Sequence, residues 1–202
     1  MKSIIFYLPG VNSEKPAGTT IKFTVPTLPA YAIEYSELTQ NSLGCSTEDD
    51  EYEIAGDQII WKNSGGAYPG DAFRFIIHYH GIRDFSLLFP SVADPSLRER
   101  LGEFYREQEI NFNDASWLSF ILMCGAIFEG VLFSKIGRDD SFKKLIESAH
   151  QSNFIDLDTK KIMHSVRGYR NLVHAHKHTE SYVLRKDAMD VKTTLDKLIR
   201  AT

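Results

Sequence analysis

The chain changes its hydrophobic period once. Up to about residue 90 the apolar positions recur every second residue: TTIKFTV sets Ile21, Phe23 and Val25 on one side, and AYAIEYS follows after a proline-rich link. EYEI and QIIWK flank a tight Ala-Gly-Asp turn, the pattern of a hairpin. In DAFRFIIHYH the same period puts Phe73, Phe75, Ile77 and Tyr79 on one face and Arg74, Ile76, His78 and His80 on the other. The aromatic face reads as core. NSGGAYPG reads as a flexible loop, and no internal repeat is visible. A small antiparallel β-sandwich or barrel-like domain over residues 1–92 accounts for this half.

From SVADPSLRER onward the period becomes helical, with Asp94 as N-cap and Pro95 as first helical residue. Leu97, Leu101, Phe104 and Tyr105 form the stripe of a first helix. A second, from Asn113 or Asp114 to about Gly137, is apolar nearly all round through Trp117, Phe120, Ile121, Cys124, Phe128, Val131 and Leu132, so it must be covered on every side. DSFKKLIESAHQ buries Phe142, Leu145, Ile146 and Ala149. A fourth helix starts near Asp156 or Asp158 and carries Ile162, Val166, Tyr169 and Val173 as its core stripe; a last one, from about Asp187, uses Ala188, Val191, Leu195 and Leu198. Residues 93–202 therefore read as an α-bundle, and the fold class as α+β with segregated halves.

Composition narrows the function classes. At 202 residues and 43% apolar, the chain can bury a real core. Its net charge of −4 argues against an avid, nonspecific nucleic-acid binder. Any basic site is local: residues 1–94 hold six Lys and Arg against twelve Asp and Glu, and residues 95–202 hold seventeen against fifteen. Cys45, in a polar acidic stretch, and Cys124, in an apolar one, are poor disulfide partners. No secretory leader is evident in MKSIIFYLPGVNSEKP, so a cytoplasmic protein is expected. Glu129 interrupts ASWLSFILMCGAIFEGVLFSKIG after about 14 uncharged residues, short of the roughly 18 of a membrane span. A buried helix and no membrane partner are expected. STEDDEYE reads as a solvated loop.

The chemistry concentrates in RGYRNLVHAHKH, residues 167–178. Beside the apolar stripe of the fourth helix, Met163, Arg167, Arg170 and His174 are spaced four, three and four, so the two arginines and His174 share a face if the helix continues. Two guanidiniums beside an imidazole suit a phosphodiester. Arginine offers a planar fork to phosphate oxygens, and histidine moves protons near neutral pH. In RNA cleavage the imidazole would take the 2′-hydroxyl proton while arginine stabilised charge on the phosphoryl oxygens, with no cofactor and no metal.

The segment Arg170-Asn171-Leu172-Val173-His174-Ala175-His176 resembles the signature of HEPN domains: an Arg, a polar residue, then a His after four to six residues near a helix end. Arg170 with His176 has five between, and Arg167 with His174 has six. The flanking order of AIFEGVL, SFKKLIESA, FIDLDTKKIMHSVRGYRNLVHAH and DAMDVKTTLDKLI is also similar, over roughly residues 95–202. The resemblance implies a metal-independent endoribonuclease of toxin, antiviral-defence or stress systems, with RNA as substrate. It further implies a homodimer whose two copies line one cleft. Arg170 and His176 would be the catalytic pair, with Asn171 orienting, Arg167 and His174 in support and Glu129 adding a polar contact. An antitoxin or regulatory protein would be a natural partner.

Other readings of the same residues stay open. Arg170 and His174 also suit a solvated helix face, with histidine favoured at the C-terminal end of the dipole. Glu129 also suits a buried hydrogen-bond partner, Arg170 included. If HAHKH were extended, His174, His176 and His178 would align as on a strand, and HYH at 78–80 repeats the spacing. No His-Glu-x-x-His or paired cysteine spacing accompanies them, and no phosphate-loop, dinucleotide or nucleophile-elbow motif occurs. A non-enzymatic alternative is a module that dimerises through its helices and recognises a protein or small ligand through its β-domain.

Overall fold

The computed structural model describes residues 1–42, 45–47, 51–137 and 139–201; of the acidic loop expected at Ser46–Glu53, residues 48–50 lie outside them, and its two ends are strand instead. The chain is an α+β protein with its sheets in the first half and its helices in the second. It divides into two units, Met1–Asp84 and Phe85–Thr202. The expected division at 92/93 moves earlier for a packing reason. The 3₁₀ turn Phe85–Leu88 belongs to the helical unit, where Leu88, Phe89 and Val92 are buried and the rings of Phe85 and Phe89 meet Tyr105. Gly102 lets the turn approach, since a Cβ there would stand 2.7 Å from the Ser86 nitrogen.

In the first unit, β1 (Lys2–Leu8), β7 (Ala72–Ile82), β3 (Tyr31–Ser42) and β4 (Cys45–Thr47) form one antiparallel sheet in that order. A second antiparallel sheet has the order β2 (Thr20–Thr24), β6 (Gln58–Lys62), β5 (Glu51–Ala55). Phe73 and Phe75 face the small sheet as their period of two requires: Phe73 meets Phe23 and Trp61, and Phe75 meets Tyr52. Such two-sheet aromatic packing is that of a sandwich. The β5–β6 hairpin turns at Gly56, whose φ of +64° suits glycine.

The NSGGAYPG loop, expected to be flexible, is held by a buried polar network. Gln40 donates to Gly66 O at 3.1 Å and to Asp71 Oδ2 at 2.7 Å; Asp71 also accepts from Tyr68 N, and Asn63 Oδ1 accepts from Gly66 N. Each of these groups would be costly to bury unpaired. Lys15 and Ala67 add a two-way backbone bridge.

The second unit comprises α1 (Pro95–Asn113), α2 (Trp117–Ile136), α3 (Phe142–Gln151), α4 (Leu157–Tyr169) and α5 (Arg185–Ala201). Asp94 caps α1, accepting from Ser96 N and Leu97 N, as its place before Pro95 predicts. Ala115, at φ 57°, turns the chain between α1 and α2, so α2 begins after Ser116, later than expected. Gly137, at φ 69°, ends α2 as a left-handed cap. By length and composition α2 is apolar enough to cross a membrane. Here it packs against all four other helices of its unit, with Phe120, Ile121, Cys124, Ile127, Phe128 and Leu132 fully buried.

Removing the Phe128 ring should leave a cavity at the centre of the bundle. Phe128→Ala is expected to lose about 3–5 kcal/mol in urea unfolding. Burial raises the Cys124 thiol well above its ordinary pKa, so the folded protein should react with iodoacetamide at Cys124 far more slowly than the urea-unfolded chain.

Candidate functional site

The candidate site sits where α4 ends. Asp156 caps the start of that helix, accepting from Thr159 N at 2.8 Å and from the Lys197 ammonium of α5. Midway, Glu147 of α3 accepts from Lys160 at 2.7 Å and from His164 Nε2 at 2.9 Å, and these two partners, Lys160 first, hold its carboxyl below the ordinary range. Met163 and Val166 are fully buried, with Ile162 and Tyr169 half-buried beside them. This corrects two expectations. Met163, expected beside the apolar stripe, is part of the core, and Val173, expected within the stripe, is 53% exposed.

The second correction has a local cause. The α-helix stops at Tyr169, and residues Arg170–Val173 form a 3₁₀ turn, followed by a second one at Ala175–Lys177. A 3₁₀ turn advances each residue by more than an α-helix does, so the stripe of α4 loses its phase beyond Tyr169. The expected series of Arg167, Arg170 and His174 on one continuous helix face is therefore broken between its second and third members. His174 is extended, at φ −85° and ψ 116°; its N–H donates to Asn171 O, and its carbonyl accepts from Lys177 N at 2.8 Å. The end of α4 is also tied sideways. The Tyr169 hydroxyl, its pKa raised first by burial and then by its hydrogen bond to Asp187, links α4 to the start of α5, where Asp187 accepts from Leu184 N.

The predicted residues lie at the protein surface. Arg167, Arg170, Asn171, His174, His176 and His178 are all exposed. Arg170 Nη1 donates to Glu129 Oε2 at 3.1 Å, joining the turn to the one acid within α2. The pairing of Arg170 with Glu129 agrees with one expected role for that acid, but the pair is open to water, with side-chain exposures of 47% and 36%. The rings of His174 and His176 stack at 5.7 Å and 23°. Among the described residues no hydrogen bond joins Arg170 to either ring, and Arg167 and the Asn171 amide have no side-chain partner.

The other histidine arrangement differs from expectation. HAHKH is not extended: His176 lies within the second 3₁₀ turn and His178 has helical backbone angles. His78 lies 2.9 Å from Ser3 Oγ and 3.7 Å from Glu37, and His80 is 3.1 Å from Glu34, so both sit in polar pairs on the outer sheet face. Among the described residues no cluster of three His, Cys, Asp or Glu side chains has metal-site geometry. The positioning pair Tyr169 and Asp187 was not foreseen, because Tyr169 falls in the apolar stripe and its hydroxyl partner is remote in sequence.

Comparison of the chain with known family models, with curated proteins and with solved structures finds no match. The functional reading thus rests on the residues and their geometry.

Asp156 generates a pH-dependent expectation. Lys197 first, then Thr159, hold its carboxyl well below the ordinary carboxylate range. A carboxyl whose pKa folding lowers contributes stability that is complete above its unfolded value of about 3.9 and is lost as pH falls through the folded value. Asp156→Asn keeps a capping side chain and removes the charge. Its Tm should fall below wild type at pH 7, and the difference should shrink below about pH 4.

Proposed function

We propose that the helical unit is a metal-independent endoribonuclease of the HEPN type, acting in the cytoplasm in a toxin, antiviral-defence or stress context. The observation that carries this reading is the joint exposure of Arg170, held by Glu129, and of the stacked His174 and His176, within one short pair of 3₁₀ turns. Arginine and histidine exposed together can reach a phosphodiester from solvent; a sealed Arg170 could not.

In this mechanism RNA lies across the turn with a phosphate against Arg170 and Arg167. A ring nitrogen of His176 takes the proton of the 2′-hydroxyl, and O2′ attacks the adjacent phosphorus. The P–O5′ bond breaks, and the leaving oxygen takes a proton from a second imidazole or from water. The products are a 2′,3′-cyclic phosphate and a 5′-hydroxyl. Arg170 stabilises the charge that grows on the nonbridging oxygens, while Asn171 orients the substrate and His174 supports His176. Glu129 is a positioning residue, since it reaches the substrate only through Arg170. A second copy, packed through the helices, brings its own Arg170 and His176 to the same cleft.

The Arg170–Glu129 pair also favours a second reading. There the ion pair is structural, the helical unit dimerises without cleaving, and the β unit recognises a protein or small ligand.

The test is cleavage of a labelled mixed RNA in EDTA by wild type, Arg170→Ala, His174→Ala and His176→Ala, with product ends identified. The nuclease reading expects cyclic-phosphate ends from wild type. It also expects a loss of at least a hundredfold in Arg170→Ala and in His176→Ala, the range of a positioned acid or base, with a smaller loss in His174→Ala. No cleavage by folded, dimeric wild type would favour the binding module.

A further inference from the structure

The β unit holds a cavity of about 780 Å³ between the first half of β3 and β5, within the size range of small-molecule sites. It is bordered by the irregular part of β3. The β3–β7 register shifts between Tyr31 and Ile33 and again between Ile33 and Tyr35, and such bulges bend a strand and re-aim its side chains. On its opposite side β3 pairs with β4 from Gln40 onward, so the bulged half of β3 borders the cavity.

Polar and apolar groups divide this space. At the floor, the Tyr52 hydroxyl donates to the Ser36 carbonyl at 2.5 Å. Its one proton is thereby used, so the 2.8 Å contact with Ser36 Oγ has the serine as donor. Ile33, Ile54 and Leu28 supply apolar wall, and Tyr35 borders it with its ring turned to the outer sheet face, stacked on His78 at 5.5 Å. Arg83 follows β7, and its N–H donates to the Ala30 carbonyl at 2.8 Å, which fixes where its side chain departs. Among the described residues no carboxylate pairs with its guanidinium. Glu34, the acid in the lining, faces His80 instead.

We propose that this cavity is a binding site for a small molecule with a planar apolar ring and one anionic group, a carboxylate or a phosphate. The ring enters between Ile33 and Ile54, and the anion meets the Arg83 fork, which matches either group in a bidentate way. This assignment is independent of the RNA chemistry of the helical unit.

Calorimetric titration of the full chain with 1-naphthylacetate, 1-naphthyl phosphate and the neutral 1-naphthaleneethanol tests it. At least one anionic probe should bind at least tenfold more tightly than the alcohol, and comparison of the two identifies the preferred anion. Arg83→Ala should weaken that probe at least tenfold, while Arg74→Ala, which changes the outer sheet face where Arg74 lies over the Tyr7 ring, should leave it unchanged. Ile54→Trp, which fills the space and retains Arg83, should abolish binding. Circular dichroism of each variant verifies its fold. Equal affinity for the alcohol, full binding by folded Arg83→Ala or Ile54→Trp, or no binding of either anion at millimolar concentration would overturn the proposal.

Discussion

The helical unit depends on the burial of α2. A helix that is apolar on nearly every side has no stable place on a surface, so α1, α3, α4 and α5 must all contact it. Its buried Phe120, Ile121, Phe128 and Leu132 then set the positions of the surrounding elements. The same requirement gives Glu129 its role. An acid within such a helix needs water or a cation, and it has both, being partly exposed and bonded to Arg170. The most apolar helix in the chain thus directs the guanidinium at the candidate site.

The end of α4 converts that scaffold into a chemical surface. Had the helix continued, Val173 would have stayed in the core stripe and His174 on the face of Arg170. The 3₁₀ turns instead release Val173 to solvent and stack His174 on His176. Such turns hydrogen-bond less well than an α-helix, so they need external support. It comes from Glu129 on one side and from the Tyr169–Asp187 link on the other.

In the β unit the aromatic core and the polar network do different work. Phe23, Trp61, Phe73 and Phe75 supply apolar burial, which is strong but carries little directional information. Gln40, Asn63 and Asp71 supply direction, fixing the chain between β6 and β7 by bonds that tolerate only narrow geometries. The irregular stretch of β3, Tyr31 to Tyr35, borders the cavity.

Much of the architecture was legible in the residues. Alternation identified the inward row of β7, Asp94 and Gly137 marked helix ends, and the all-round apolarity of α2 announced a central helix, because each depends on interactions within a few residues. Even Arg170 with Glu129 could be anticipated as partners, since a lone acid in an apolar helix needs a cation. Strand β1 was harder to read: Ile5 and Tyr7 on its outer face are as apolar as Phe6 and Leu8 within, so alternation gives little contrast. The sequence by itself determined where strands give way to helices and, for the strongly periodic segments such as β7 and α3, which face is buried. Tertiary structure alone decided where α4 stops, which ring stacks on which, that Tyr169 reaches Asp187, and that Arg83 borders a cavity. Those features arise between segments far apart in the chain, where no local period records the contact.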